Sequence, residues 1–293
     1  MPLVATLITA ESARAELPRH AEAVVAALGR TVEPLWLGPA ACDLILDAGE
    51  AGAIEKQARA ALSGTAIDIL VQPQAGRRKR LLVADLEATV IENEMLDELA
   101  DLIGLGPRVA AITARAMNGE IDFLAALRER VALLAGVEAR VLDAAAARIR
   151  ITPGAAALIA TMRREGAVTA LVSGGFTVFA ERVGAALGFD HVVANRLEVS
   201  SGRIVGAISP PIVTGEVKRE TLLALAAAHG IAPIETLAVG DGANDLPMLQ
   251  AAGLGLAFHA KPRVAAAARF RLDHADLSGL LYAQGYRQRD FVG

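Results

Sequence analysis

The sequence predicts an α/β protein of two domains, a small α+β sandwich followed by a larger unit built on a buried parallel sheet. Three observations predict it. The first 75 residues run strand, helix, strand, strand, helix, strand; three later apolar runs, at 81–84, 168–172 and 236–239, each lead into helical sequence; and the block 93–164 between the first two of those runs is helical almost throughout. A chain of 293 residues comfortably holds two separate cores.

In the first domain, assigned to residues 1–75, "PLVATLIT" at 2–9 reads as a strand and 11–28 as a helix with a proline near its middle. Strands follow at about 33–37 and 42–47, a helix at 49–62, and "AIDILVQP" at 66–73 alternates like a closing strand. This βαββαβ order is that of the ferredoxin-like sandwich. Pro73 and "AGRRKR" then change the composition abruptly, which marks a domain boundary and opens the second domain at 76–293.

In the second domain the near-continuous apolar strands suit a parallel sheet covered on both faces. The insertion after its first strand contains "NEMLDELADLI", "PRVAAITARAM", "IDFLAALRERVALLAG" and "EARVLDAAAARI", four amphipathic segments separated by Gly or Pro. It is too long for a simple crossover and reads as a helical cap, at about 93–164, over the sheet's carboxyl edge.

Composition excludes several functions. Hydrophobic residues make up 54% of the chain and aromatics 3%, so the core is aliphatic. A formal charge of −4, with a densest basic run no longer than "GRRKR", argues against nucleic-acid or anionic-membrane partners. No segment approaches the roughly 18 unbroken apolar residues of a membrane span, and no basic start precedes an apolar run at the N-terminus. The single cysteine, Cys42, reads as a small buried hydrophobe and suits a reducing compartment, so a cytoplasmic protein is expected. The five histidines (His20, His191, His229, His259 and His274) have no paired ligand spacing, which argues against zinc. Neither the nucleophile elbow "GxSxG" nor "GxxxxGK[ST]" is present.

Open α/β sheets present their ligands at the carboxyl ends of their strands, and four polar signals fall there. They are Asp85 with Glu87 and Thr89 in "DLEATV"; Ser173, Gly174 and Gly175 in "LVSGGF"; Lys218 in "TGEVKRE"; and Asp241, Asn244 and Asp245 in "AVGDGANDLPML". Singly, each has a bland explanation: Ser173 as a helix cap, Lys218 as a surface charge, the Gly-Asp-Asn turn as ordinary loop chemistry. Their joint order supplies a carboxylate nucleophile, an anion cradle, a fixed cation and a divalent-metal site. Phosphoryl transfer requires that combination, because its transition state is stabilised mainly by position and electrostatics.

With those residues in hand, "DLEAT…SGGF…K…GDGAND" resembles the four motifs of the haloacid-dehalogenase-like phosphatases, and so implies their Rossmann-like core with a helical-bundle cap. The likeness extends through "ENEMLDELAD", "AMNGEIDFLAALRERV", "ANRLEV" and "FHAKP", over roughly residues 80–285. It points to the branch that hydrolyses O-phospho-L-serine to L-serine, closing serine biosynthesis. It implies that Asp85 attacks phosphorus and becomes an aspartyl phosphate, and that Mg²⁺ is held by Asp85, the backbone carbonyl of Glu87 and Asp241, with Asp245 orienting the shell. Ser173, Gly174 and Lys218 would take phosphate oxygens. Glu94 would meet the substrate ammonium and Arg130 its carboxylate, Met117 and Phe123 would close an apolar wall, and Asn244 would complete the contacts. Without the resemblance, Glu94 and Arg130 are ordinary helix charges and Met117 and Phe123 ordinary core residues. The first domain resembles the ACT-like regulatory domain, which implies an amino-acid effector there or a homodimer contact.

One residue departs from the family pattern. At the position of Glu87 the family usually has Asp, which protonates the leaving oxygen and then activates water. Glu extends the carboxyl by about 1.5 Å, and a misplacement of about 1 Å can cost on the order of 100-fold. Two readings follow: an active Mg²⁺-dependent phosphatase, for phosphoserine or another small phosphomonoester, or a catalytically impaired relative that senses a small ligand. With every other motif intact, the enzyme is favoured.

Overall fold

In the computed structural model, which describes residues 1–47, 49–117 and 120–293 with the side chain of Met117 outside that description, the strands at residues 3–73 form one antiparallel sheet. They are β1 (Leu3–Thr9), β2 (Leu35–Gly38), β3 (Ala41–Leu46) and β4 (Ile67–Pro73), in the order β2-β3-β1-β4, with α1 (Leu17–Ala27) and α2 (Ala51–Ala61) between them. The expected single helix at 11–28 is broken. A 3-10 helix covers Glu11–Glu16 and α1 begins beside Pro18, because proline, which has no N–H to donate, fits the first turn of a helix but not its interior.

Strand period decides what each face of this sheet meets. Leu3, Ala5 and Leu7 of β1, Cys42 and Leu44 of β3 and Ile69 of β4 pack against Leu17, Val24 and Ile54 of the two helices. The opposite face carries Ile8, Ala41 and Leu70, which join the core of the second domain together with Tyr282. Polar residues on that face are bonded across the junction. The Asp68 carboxylate accepts from the backbone N–H groups of Asp273, His274 and Ala275 at 2.8, 3.1 and 2.9 Å, and Gln72 Nε2 donates to the Ala283 carbonyl at 2.7 Å. Arg77 of the connecting segment pairs with buried Asp43.

The second domain contains β5 (Leu81–Ala84), then the helices α3 (Met95–Leu102), α4 (Gly106–Met117), α5 (Phe123–Ala132), α6 (Val141–Ala146) and α7 (Ala155–Arg164). There follow β6 (Val168–Phe176), α8 (Thr177–Leu187), β7 (His191–Ser200), β8 (Arg203–Ser209), α9 (Gly215–Ala228) and β9 (Thr236–Gly240). The chain ends with α10 (Leu246–Ala251), β10 (Leu254–Phe258), α11 (Pro262–Ala267), β11 (Phe270–Leu272) and α12 (Gly279–Ala283). The sheet order is β11-β10-β9-β5-β6-β7-β8, parallel except for the β7–β8 hairpin. Its faces are both covered: Leu82, Ala84 and Leu171 lie among side chains of α7 and α8, whereas Leu81, Val83 and Ala170 meet those of α9 and α10. The first, second and third apolar runs thus become β5, β6 and β9, side by side in the sheet.

The helical insertion leaves and re-enters the core through a narrow neck. Ile91 bridges Ile151 antiparallel, and the Glu92 N–H donates to the Arg150 carbonyl at 2.9 Å. Helices α3 to α6 lie beyond that neck, over the carboxyl ends of the strands.

Candidate active site

Three strand ends and one helix converge under the cap. Asp85 follows β5 at extended angles and its Oδ1 accepts from the Leu86 N–H at 2.8 Å. The chain then makes a single π-type turn, Leu86–Val90, in which Ala88 adopts φ 51. That left-handed backbone is uncommon for a residue with a Cβ and is stored where a site needs it. The tight turn brings Glu87 back over the strand ends.

Lys218, one turn into α9, is wholly buried. Its ammonium lies 2.7 Å from Asp85 Oδ1 and 2.6 Å from Asp245 Oδ1. Burial alone would depress an ammonium, but the two carboxylates Asp245 and Asp85 outweigh it and hold Lys218 above the ordinary lysine range. Asp245 Oδ2 accepts from the Gly242 N–H at 2.9 Å, so both its oxygens are engaged. Asp85 Oδ2 has no hydrogen-bond partner among the described residues and Asp85 lines the cavity above.

Asp85, Asp241 and Asp245 each offer a carboxylate oxygen, all within 4.8 Å of one another. Burial, and after it the charge of Asp245, pushes Asp241 up to about 7 and raises Asp85 well above the usual carboxylate range. Three carboxylates crowded around the buried Lys218 ammonium favour a further cation beside them, and a divalent ion would offset their mutual repulsion. The all-oxygen donor set suits a hard ion such as Mg²⁺.

At the end of β6, Ser173 is buried and its Oγ accepts from the Gly175 N–H at 2.9 Å. The two glycines after it make room. A Cβ on Gly174 would meet the Phe123 ring at 3.4 Å, and one on Gly175 would lie 2.9 Å from Glu87 Oε1. The longer acid is therefore seated across the bare Cα of Gly175, with Oε1 also accepting from the Met95 N–H at 3.0 Å. Burial, with the Glu94 charge adding, pushes Glu87 up to about 8.

Above these groups lies a cavity of about 950 Å³, lined by Asp85, Glu87 and Asp241 on the core side and by Glu94, Phe123 and Arg130 on the cap side. Gly174 and Asn244 also reach it, whereas Ser173, Lys218 and Asp245 lie behind its wall. Glu94 sits just before α3; partial desolvation at the cavity wall raises its carboxyl, and the Lys261 ammonium, 4.0 Å from Oε1, opposes that rise. Arg130 lies in the last turn of α5 and donates from Nε to the Ala126 carbonyl at 3.3 Å. Met117 closes α4, and the position of its side chain lies outside the described residues.

Sequence reasoning gave no role to two residues near this site. Lys261, after β10 in "FHAKP", lines the cavity with its Nζ 3.8 Å from Asp241 Oδ2 and 4.0 Å from Glu94 Oε1. The signal that could have found it is the one that found the others, a polar residue just past an apolar strand. Asn195, a polar residue inside β7, is fully buried and bonded to the Ser173 loop.

Residues 82–250, more than half of the chain, match the haloacid dehalogenase-like hydrolase family. A phosphoserine phosphatase of Idiomarina loihiensis is 47% identical over 201 residues, covering 69% of this chain and 91% of that protein. One from Archaeoglobus fulgidus is 40% identical over 242 residues, covering 81% of this chain and 70% of its own; for one from Vibrio cholerae the match covers 69% of this chain and 61% of the relative. Among solved structures, a crystal structure of a haloacid-dehalogenase-family hydrolase from Salmonella enterica serovar Typhi superposes with a TM-score of 0.87 at 29% identity. That match covers 96% of this chain and 98% of the other.

Proposed function

Because the chain belongs to the haloacid dehalogenase-like hydrolases, we propose that it hydrolyses O-phospho-L-serine to L-serine and phosphate through an aspartyl phosphate on Asp85. The observation that carries this is the Asp245–Lys218–Asp85 chain of buried ion pairs at 2.6 and 2.7 Å, which fixes Oδ1 of Asp85, a residue that lines the cavity, and leaves Oδ2 without a hydrogen-bond partner among the described residues. A nucleophile held in this way has little orientational freedom left to lose.

In the first displacement Asp85 Oδ2 attacks phosphorus in line with the serine oxygen. Glu87 gives its proton to that oxygen as the P–O bond breaks. In the second, Glu87 takes a proton from water as it attacks the aspartyl phosphate, which returns Asp85 as a carboxylate. Lys218 compensates the charge of Asp85 as the anionic phosphoryl group approaches, and the Ser173 hydroxyl, whose oxygen already accepts from Gly175, is free to donate to a phosphate oxygen. Asp85, Asp241 and the Glu87 carbonyl would hold Mg²⁺, with Asp245 bracing the set. The ion supplies Lewis-acid stabilisation of the charge on the phosphoryl oxygens.

Specificity comes from the cap. Glu94 is the counter-charge for the substrate ammonium, Arg130 offers a fork to the carboxylate, and Phe123 over Gly174 covers the reacting end. Asn244 completes the lining of the pocket. The alternative, an impaired sensor, rests on Glu87 standing in place of Asp. The seat of its carboxyl over Gly175, with the Met95 N–H as partner, favours the enzyme. In the cytoplasm this reaction would complete serine synthesis, and the first domain would carry an amino-acid effector or a homodimer contact.

Phosphate release from L-phosphoserine with Mg²⁺ tests the proposal. Wild-type protein turns over, chelation by EDTA stops it, and Asp85→Asn loses all but a trace. An inert wild type beside an active Glu87→Asp variant would give the site to the sensor reading.

A further inference from the structure

The phosphate cradle rests on two glycines, and the structure supplies an unusual support for them. Strand β6 pairs with β7 through Ala170, Leu171 and Val172, loses register across Ser173–Gly175, and regains it at Phe176, which faces Asn195. Over the irregular stretch the Gly174 carbonyl has left the ladder, and a buried carbonyl without a partner is costly. Asn195 fills the gap with its side chain, Nδ2 donating to Gly174 O at 2.7 Å. The N–H end of the same peptide unit, on Gly175, donates to Ser173 Oγ at 2.9 Å. The Gly174–Gly175 peptide is therefore pinned at both poles.

The other end of the Asn195 amide reaches a different element. Its Oδ1 accepts from the Val213 N–H at 2.8 Å. Val213 is buried and adjoins Thr214, the N-cap whose Oγ1 accepts from Val217 and opens the helix that carries Lys218. One amide, fully buried and bonded through both of its heavy atoms, thus joins the Ser173 loop to the Lys218 helix.

We infer that Asn195 is a positioning residue for phosphoryl transfer, setting the Ser173–Gly175 cradle against the segment that starts the Lys218 helix. The inference rests on the phosphate reading of that loop given above. It assigns Asn195 to the phosphate end alone, so its loss acts on any phosphomonoester, whatever the leaving group. Asn195→Ala removes both bonds, and Asn195→Asp keeps the acceptor for Val213 but turns an oxygen toward Gly174 O.

The test uses the full chain with Mg²⁺ and two probes at opposite ends of the cavity, inorganic phosphate and L-serine, with affinities measured by calorimetry. Both variants should bind inorganic phosphate about 10-fold more weakly and L-serine as the wild type does. Their kcat/KM should fall by about 10- to 100-fold, and by the same factor on phosphoserine and p-nitrophenyl phosphate. Wild-type phosphate affinity and kcat/KM in both variants would overturn the inference, and so would equal weakening of phosphate and L-serine, the mark of a general loosening. If Asn195→Ala does not fold, Asn195→Asp decides by the same comparison. A wild type that releases no phosphate from phosphoserine would sink the proposed function, while the phosphate affinities would still judge Asn195.

Discussion

The core side and the cap side of the cavity are built differently. Around Asp85 the contacts of Lys218, Asp245 and Ser173 run from 2.6 to 2.9 Å, and these three side chains are buried. On the cap side the Glu94 side chain is 48% exposed, its ion pair with Lys261 spans 4.0 Å, and Arg130 donates at 3.3 Å to its own helix. The difference follows from what each side must do. Charge that develops on a phosphoryl group is stabilised by dipoles and ions fixed beforehand, since any reorganisation would add to the barrier. Recognition of an amino acid needs entry and exit, so its contacts can tighten when the cap closes.

If the core side is fixed in advance, its loss should be the most severe. Lys218→Ala leaves Asp85 and Asp245 buried without their counter-ion. It should lower stability by about 3–5 kcal/mol, read by denaturant unfolding, and turnover should fall at least about 1000-fold. A variant as stable and as active as wild type would show that the ion-pair chain is ornamental.

The Glu87 seat gives the next largest effect and tests how tightly the core side is packed. A methyl group on Gly175 would press on the Glu87 carboxyl at 2.9 Å, so Gly175→Ala should cost about 100-fold in kcat by displacing the acid about 1 Å. Shortening the acid relieves the clash. Gly175→Ala with Glu87→Asp should recover a large part of the loss, and a double variant no better than the single would mean that the methyl acts elsewhere.

The cap side should respond selectively. Arg130→Ala should reduce kcat/KM for phosphoserine by about 100-fold, the scale of a lost charged hydrogen bond of about 1.5–3 kcal/mol, and change hydrolysis of p-nitrophenyl phosphate by less than about 3-fold. Equal losses on the two substrates would remove the carboxylate-recognition role and the contrast with it.

Legibility in the sequence followed the same divide. Asp85, Ser173 and Asp241 each stand at the end of an apolar strand in a sheet whose geometry sends strand ends to one edge, so local pattern placed them together. Glu94 precedes α3 and Arg130 lies in α5, two loops further on; the docking of those helices is a tertiary matter, and resemblance alone suggested the two residues. Strand β11 has three residues, too few for periodicity to register, and β10 in "LGLAF" is punctuated by glycine like a turn. Asn195 was silent because a polar residue within a strand usually marks a solvated face; only the register break opposite it reveals its use. The second face of the first sheet was equally silent, since alternation shows that a face is buried and not what buries it.

Lys261 is where the two sides of the cavity meet, and it sets the smallest effect. Its ammonium stands 3.8 Å from Asp241 and 4.0 Å from Glu94, on a side chain 58% exposed. It therefore competes weakly with a metal ion for the first and with the substrate ammonium for the second. Half-exposed pairs of this kind are worth about 0–1 kcal/mol, so Lys261→Gln should bind Mg²⁺ about 2- to 3-fold more tightly by calorimetry and lower KM for phosphoserine by a similar factor. Hydrolysis of p-nitrophenyl phosphate at saturating Mg²⁺ should stay near wild type, because that substrate has no ammonium to be displaced. Weaker Mg²⁺ binding in Lys261→Gln would mean that the lysine supports the acidic cluster instead of competing for it, and the division between a fixed core side and an adaptable cap side would then have to be drawn beyond Lys261.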